Sequence, residues 1–307
     1  MEVGERRFRV MASECQLLAL DASPAILDRA RERLEHLERR WSRFIPTSDI
    51  TRLNTNTGRS VQVDADTIVL LDAMLAARRA TGGAYDPTVL PTLVASGYAT
   101  SIVDPTARTV LPPTTTGATA SGVDLERVVV HRAARSITLP LGVALDPGGI
   151  GKGLAADLVV AQLLVDGAAG ALVSIGGDLA VGGASPAGEG WRVVVEDPFD
   201  PNAELVTLAL DVGGVCTSST RSRRWMHDGH VTHHVIDPVT RRTATIDVVS
   251  ATVVAGAGWL AEAHATEVLL AGSAGALDVL DRNGLAGAVT MADGRTILTA
   301  DLLVGAL

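Results

Sequence analysis

The sequence predicts an α+β fold of mixed, largely antiparallel sheets with packed helices, and three patterns carry that prediction. Runs with apolar residues every three or four positions read as amphipathic helices. Short β-rich runs lie between them. Several of those short runs come in pairs separated by turn residues, as antiparallel neighbours do.

The elements follow in order. Residues 1–16 mix charged and apolar positions and read as the first strand. Pro24–Trp41 opens after Ser23 with proline at the first helical position and repeats Leu27, Ala30, Leu34, Leu37 and Trp41, an amphipathic helix with a charged outer face. A second helix starts at Asp64, buries Ile68, Leu71 and Leu75, and ends at Gly82-Gly83. Residues 99–123 shift to Thr, Pro, Gly and Ser without a lasting period and form an irregular surface excursion. Residues 128–130 and 137–139 then pair as a hairpin, 143–145 reads as a buried strand, and 153–165 as a helix stopped at Gly167. Strands are expected at 171–175, Trp191–Glu196 and 205–210, helices at 260–270 and 274–281, and a closing hairpin of 289–291 with 296–299 around Asp293-Gly294.

Composition bounds the function. With 307 residues, 47% of them hydrophobic and 20% charged, the chain can bury a sizeable core as one domain over 1–307, or as two intimately packed lobes. A net charge of −9 opposes binding to nucleic acid, whose phosphates would be repelled. No run approaches the roughly 18 uninterrupted apolar residues of a transmembrane segment. The charged start lacks the apolar stretch of a secretory leader, and Cys15 and Cys216 make no disulfide framework; both point to the cytoplasm.

Three stretches carry chemistry. In LDPGGIGKGLAADL (residues 145–158) a glycine-rich turn runs straight into a helix, presenting backbone N–H groups and a positive dipole end to a phosphate. Gly153 follows the lysine where a Walker loop has Ser or Thr, and Leu154 replaces the last glycine of a dinucleotide fingerprint, so the turn is either an unconventional phosphate cradle or purely structural. In THHVIDPVTRRTA (232–244) a histidine pair leaves a strand just before Asp237-Pro238, which suits an oriented general base or simply a histidine satisfied in a sheet beside an Asp-Pro turn. In GWLAEAHATEVLLAG (258–272) Glu262 and Thr266 share a helix face, a pair of oxygen ligands for a hard cation such as Mg²⁺, or else a solvated Glu and a back-bonding Thr.

These stretches in this order, with VSIGGDL between the first two, resemble the ApbE family of FAD:protein FMN transferases. MASECQL (11–17), RWSRFIPTSDITRLN (40–54), TGGAYDPTVLP (81–91) and, more loosely, TSSTRSRRW (217–225) extend the likeness over most of the chain. The resemblance implies an ApbE-like, T-fold-like architecture and a Mg²⁺-dependent enzyme that cleaves the FAD pyrophosphate, attaches FMN to a Ser/Thr hydroxyl of an acceptor flavoprotein carrying a Ser/Thr-Gly-Ala-Thr-like motif, and releases AMP. FAD would be lined by Met11, Phe44, Ser96, Gly97 and Tyr98, held by Asp146 and Lys152, and contacted by Ile236; Mg²⁺ would take the Gly149 carbonyl, Glu262 and Thr266; His234 would be the base, with Asp237 beside it. Two positions depart from the family pattern: Glu262 stands where aspartate is usual, and Ser96 where an aromatic residue is common. The string TTTGATASG (114–122) is similar to the acceptor motif itself, but Pro113 replaces its aspartate, so modification at Thr119 is disfavoured. An FAD pyrophosphatase and a non-catalytic FAD-binding protein are the alternatives.

Overall fold

The structure, a computed structural model, describes residues 2–111, 125–200 and 202–304. Strands β1 (Val3–Val10) and β2 (Ser13–Leu20) lead into α1 (Pro24–Trp41), α2 (Asp49–Thr55), β3 (Ser60–Gln62), α3 (Ala65–Ala80), α4 (Leu90–Ala95), β4 (Val129–His131) and β5 (Ser136–Thr138). After α5 (Gly151–Val165) come β6 (Gly170–Ile175), β7 (Asp178–Gly183), β8 (Trp191–Glu196), β9 (Glu204–Leu210), β10 (Gly213–Ser219), β11 (Arg224–His227), β12 (His230–His233), β13 (Ile236–Asp237), β14 (Arg242–Thr243) and β15 (Val248–Ala255). The chain closes with α6 (Gly258–Asn283), β16 (Ala286–Met291), β17 (Thr296–Leu298) and α7 (Ala300–Val304). No helix of the described residues is long and apolar enough to cross a membrane.

The chain divides into two compact units, one of Met1–Glu35, Lys152–Ser222 and Thr245–Leu307, the other of His36–Gly151 and Arg223–Ala244. The first is built on an eight-stranded sheet in the order β1-β2-β6-β7-β10-β15-β16-β17, every neighbour antiparallel. Helix α6 packs on β10 and β15. Leu20, Leu172, Val181, Trp191, Val193, Leu208 and Val215 form a core cluster that also takes in the β8–β9 hairpin. The second unit holds the three-stranded sheet β3-β5-β4 and the hairpins β11–β12 and β13–β14.

Two sequence expectations are corrected. Residues 1–16 are not one strand: β1 and β2 form a hairpin whose turn residues, Met11 and Ala12, both have positive φ (52° and 60°). Such a turn ordinarily announces itself with Asn-Gly, and Met-Ala hid it. Residues 143–145 are buried but not a strand. The Asn54 side chain takes the place of a ladder partner, its Oδ1 accepting from Leu145 N at 2.7 Å and its Nδ2 donating to Leu145 O at 2.8 Å. The two helices expected at 260–270 and 274–281 are present as the two halves of α6, separated at Gly272 (φ 65°, ψ −178°), where Asp247 accepts Ser273 N at 2.9 Å and restarts the helix. Strands β3, β7, β10, β11, β13, β14 and β15 and helices α2, α4 and α7 are additional. In the described part of the excursion Thr100 bridges to Arg108 and Thr109 N donates to Ala99 O at 2.8 Å; Pro113 and Thr119 lie outside the described residues.

Candidate active site

The first unit gathers Lys152, Glu262 and Thr266. Lys152 stands at the start of α5, directly after the glycine turn, and its Nζ is paired with the Asp178 carboxylate. Asp178 is placed by a two-residue turn, Gly176-Gly177 (φ 62° and 90°), that joins β6 to β7 and sets Ile175 opposite Asp178. Its Oδ1 also accepts Thr217 N from β10 at 3.1 Å, so the acid that orients the lysine is itself fixed from a third strand.

Glu262 and Thr266 occupy one face of α6. Glu262 is 4% exposed, so the solvated reading of this residue does not hold. Its Oε2 accepts Gly153 N at 2.8 Å, whereas Oε1 lies 3.8 Å from Lys152 Nζ. Thr266 Oγ1 approaches the Glu262 carbonyl at 3.3 Å, a long back-bond, and lies equally far from Ser218 Oγ on β10. Counting charges, one ammonium (Lys152) faces two carboxylates (Asp178 and Glu262), which sums to −1. A diphosphate arriving alone would meet net repulsion. A divalent cation would reverse the sign, and the oxygen donors Glu262 and Thr266 are of the hard type that Mg²⁺ takes.

The second unit gathers the expected ring-binding residues. Phe44, Tyr98 and Ile236 share one apolar cluster with Leu93, Val89 and Trp225. The buried Arg43 guanidinium lies 4.3 Å above the Phe44 ring and 4.6 Å above the Tyr98 ring, donates to Tyr98 O and Thr109 Oγ1, and sits 3.7 Å from Asp146 Oδ1. Trp225 stacks on Tyr98 with ring centres 5.1 Å apart and donates its indole N–H to Ser96 O at 2.7 Å. Gly97 (φ 95°) passes so close to Trp225 and His227 that a Cβ there would lie about 3 Å from both.

Asp146, Gly149 and the histidine loop share an anchor in this unit. Asp146 Oδ1 caps Gly148 N at 3.1 Å, and Asp146 N donates to Pro87 O at 2.7 Å. Arg241 binds Asp86 Oδ2 at 2.9 Å and Thr88 O at 3.1 Å, so the 86–88 segment fixes both the glycine turn and the end of the Asp237 turn. Gly149 has φ 80°, within that glycine turn. His234 follows β12 and is half-buried. Both carboxylate oxygens of Asp237 are engaged in its own turn, by Val239 N and Thr240 Oγ1 at 2.8 Å each. Of the histidine pair, His233 has its pKa pushed down by burial and accepts Val235 N at 3.3 Å. Met11 sits at the tip of the β1–β2 hairpin in the first unit.

Two other features lie apart from these residues. His36, Asp64 and Asp66 bring ligand atoms within 4.8 Å of one another, but Asp64 caps α3 through Asp66 N and pairs with His36 Nε2 at 3.2 Å, with Arg40 at 3.9 Å. An open depression of about 450 Å³ lined by Gly58, Arg127, Thr138, Leu139, Pro140 and Leu141 contains none of the expected site residues.

The model of the ApbE family matches residues 11–289. The chain belongs to the ApbE family. Among curated ApbE relatives, the FAD:protein FMN transferase of Salmonella typhimurium is 33% identical over 156 residues, which is 50% of this chain and 45% of that protein. The matched segment thus spans less than half of that relative's length. The Haemophilus influenzae protein of the same name is 26% identical over 263 residues, 82% of this chain and 74% of its own. The ApbE protein of Thermotoga maritima superposes with a TM-score of 0.84 at 23% identity, covering 99% of both chains, a likeness of fold.

In this ApbE chain, sequence reasoning overlooked four positioned groups: Asp178, Asp157, Arg43 and Trp225. Asp178 was the most accessible of them, since Gly-Gly-Asp after an apolar run marks a hairpin with an acid at its mouth. Arg43 and Trp225 are 182 positions apart in the chain, and no local pattern links them.

Proposed function

We propose that this chain is an FAD:protein FMN transferase. The observation that carries the reading is the Lys152 ammonium set between the Asp178 and Glu262 carboxylates at the mouth of a glycine-rich helix start. Its net negative charge makes sense as half of a cation-plus-diphosphate site. The names of its relatives agree with that chemistry.

Mg²⁺ would be held by Glu262, Thr266 and the Gly149 carbonyl, and it would supply charge neutralisation of the diphosphate. Lys152 binds the phosphate oxygens, with the positive end of the α5 dipole beside it. Asp146 holds the nucleotide. Phe44, Tyr98, Ile236 and the 96–98 segment hold the ring system, with Met11 against the cofactor. The acceptor Ser or Thr oxygen attacks the FMN-side phosphorus and the bond to the AMP phosphate breaks. His234 takes the hydroxyl proton, and AMP leaves with the bonding electron pair. Asp237 keeps the loop bearing His234 in shape through its turn.

Incubation with FAD, Mg²⁺ and a peptide carrying a Ser/Thr-Gly-Ala-Thr motif, read by mass spectrometry, tests this. An FMN adduct on the peptide is expected. Free FMN without adduct would indicate hydrolysis, and intact FAD would indicate binding alone. His234→Ala should transfer FMN roughly 10²–10⁴-fold more slowly while still binding FAD. An undiminished rate would remove His234 from the mechanism.

A further inference from the structure

Helices α5 and α6 cap each other. The residue before α6, Ala257, offers no side-chain cap. The missing acceptor comes from α5, where Asp157 Oδ1 accepts Gly258 N at 2.8 Å and Oδ2 accepts Trp259 N at 2.9 Å. In return, Glu262 on α6 accepts Gly153 N of α5 at 2.8 Å. Gly153 and Asp157 are four apart, as are Gly258 and Glu262, so each helix presents a glycine and an acid on one face, and the two pairs meet crosswise. The crossing is close. A Cβ on Gly153 would lie 2.4 Å from Gly258 O, and one on Gly214 would lie 2.4 Å from Gly258 Cα. From β10, the buried Cys216 thiol donates to Gly258 O at 3.3 Å.

The first turn of α6 therefore cannot slide along α5 without losing bonds at both ends of the crossing. Glu262 lies one turn further on, and Thr266 one turn beyond that. We infer that Asp157 is a positioning residue: by fixing the start of α6 against α5, it sets where the Glu262 and Thr266 oxygens stand relative to Lys152. The inference rests on the reading of Glu262 and Thr266 as cation ligands. Asp157 itself is too engaged to be a ligand, since both of its oxygens accept backbone N–H groups. Its carboxyl is pushed above the ordinary range by burial, a tendency its two backbone bonds oppose and the Glu262 charge reinforces.

The test uses the full chain and Mn²⁺ as the probe, with free Mn²⁺ followed by electron paramagnetic resonance in the presence of FAD. Glu262→Gln should abolish binding. Asp157→Ala should weaken Mn²⁺ about 10–100-fold, the range typical when a group that orients a metal ligand is removed. Asp157→Asn keeps one carbonyl acceptor and should fall between it and the unaltered protein; should Asp157→Ala fail to fold, Asp157→Asn decides. Leu208→Ala, a core truncation on β9, serves as a control for lost stability and should bind Mn²⁺ normally. Unchanged affinity in the Asp157 variants with loss in Glu262→Gln would overturn the inference and leave the metal site standing. Equal weakening in Leu208→Ala would also overturn it, by showing a general response to destabilisation. Normal binding by Glu262→Gln would remove the metal site, and the inference with it.

Discussion

The two units of this chain prepare for a ligand in opposite ways. The first unit concentrates charge: Lys152, Asp178, Glu262 and Asp157 are held by one another, by backbone N–H groups and by strand ends. The second concentrates ring surface: the Arg43 guanidinium lies over Phe44 and Tyr98, which meet edge to face, and Trp225 stacks on Tyr98. Lys152 facing Asp178 and Glu262 leaves a residual −1 that a cation would offset, whereas the aromatic cluster has its own cation in Arg43. The difference suggests a division of labour between side chains, with Lys152, Glu262 and Thr266 suited to cation and phosphate and Phe44, Tyr98 and Ile236 to a flat ring.

That division can be broken most strongly at Lys152. Lys152→Ala should lower FMN transfer roughly 10²–10³-fold, the cost of removing one preorganised charge from a reacting centre, and leave the binding of riboflavin, which lacks phosphate, unchanged. Weakened riboflavin binding in this variant would erase the distinction. Arg43→Ala should do the reverse. Losing a cation between two rings costs about 1–2 kcal/mol, so riboflavin affinity should fall about tenfold, while the Mg²⁺ concentration for half-maximal transfer stays the same.

A smaller effect separates the chemistry of the first unit from its architecture. Burial pushes the Glu267 carboxyl up, but the hydrogen bonds and charges of His264 and Arg282 outweigh burial and hold it below the ordinary range. A carboxylate lowered on folding stabilises the protein above the unfolded value near ~4.3, and that contribution fades as pH falls through the folded value. Melting temperature should therefore decline below about pH 4.3, and less steeply in Glu267→Gln. An identical acid limb in both proteins would contradict the assignment.

The same contrast explains what could be read from the sequence. Glu262 and Thr266 are four apart in a helical stretch and Lys152 follows a glycine turn, so their placement is legible in the chain itself, while the roles given to them came through resemblance. Helix α1 was legible to the residue because Pro24 opens it and its apolar positions recur through Trp41. The aromatic cluster was only half visible: Phe44 and Tyr98 came through resemblance, while Arg43 and Trp225, which hold them, join by folding alone. The Met11-Ala12 turn and the Asn54 clasp on Leu145 escaped for a related reason, since each depends on a partner or backbone angle that its own residues do not advertise. Asp157 looked like an ordinary polar position on a helix. Its importance lies in α6, about 100 residues away.

The measurement that bears most directly on the central claim is a Mg²⁺ titration of FMN transfer by Glu262→Gln beside the unaltered chain. Removing one carboxylate charge from the ligand set should raise the half-saturating Mg²⁺ at least tenfold, with riboflavin binding unaltered. Superimposable titration curves would mean that the cation is held elsewhere, and the charged crossing of α5 and α6 would be architecture alone.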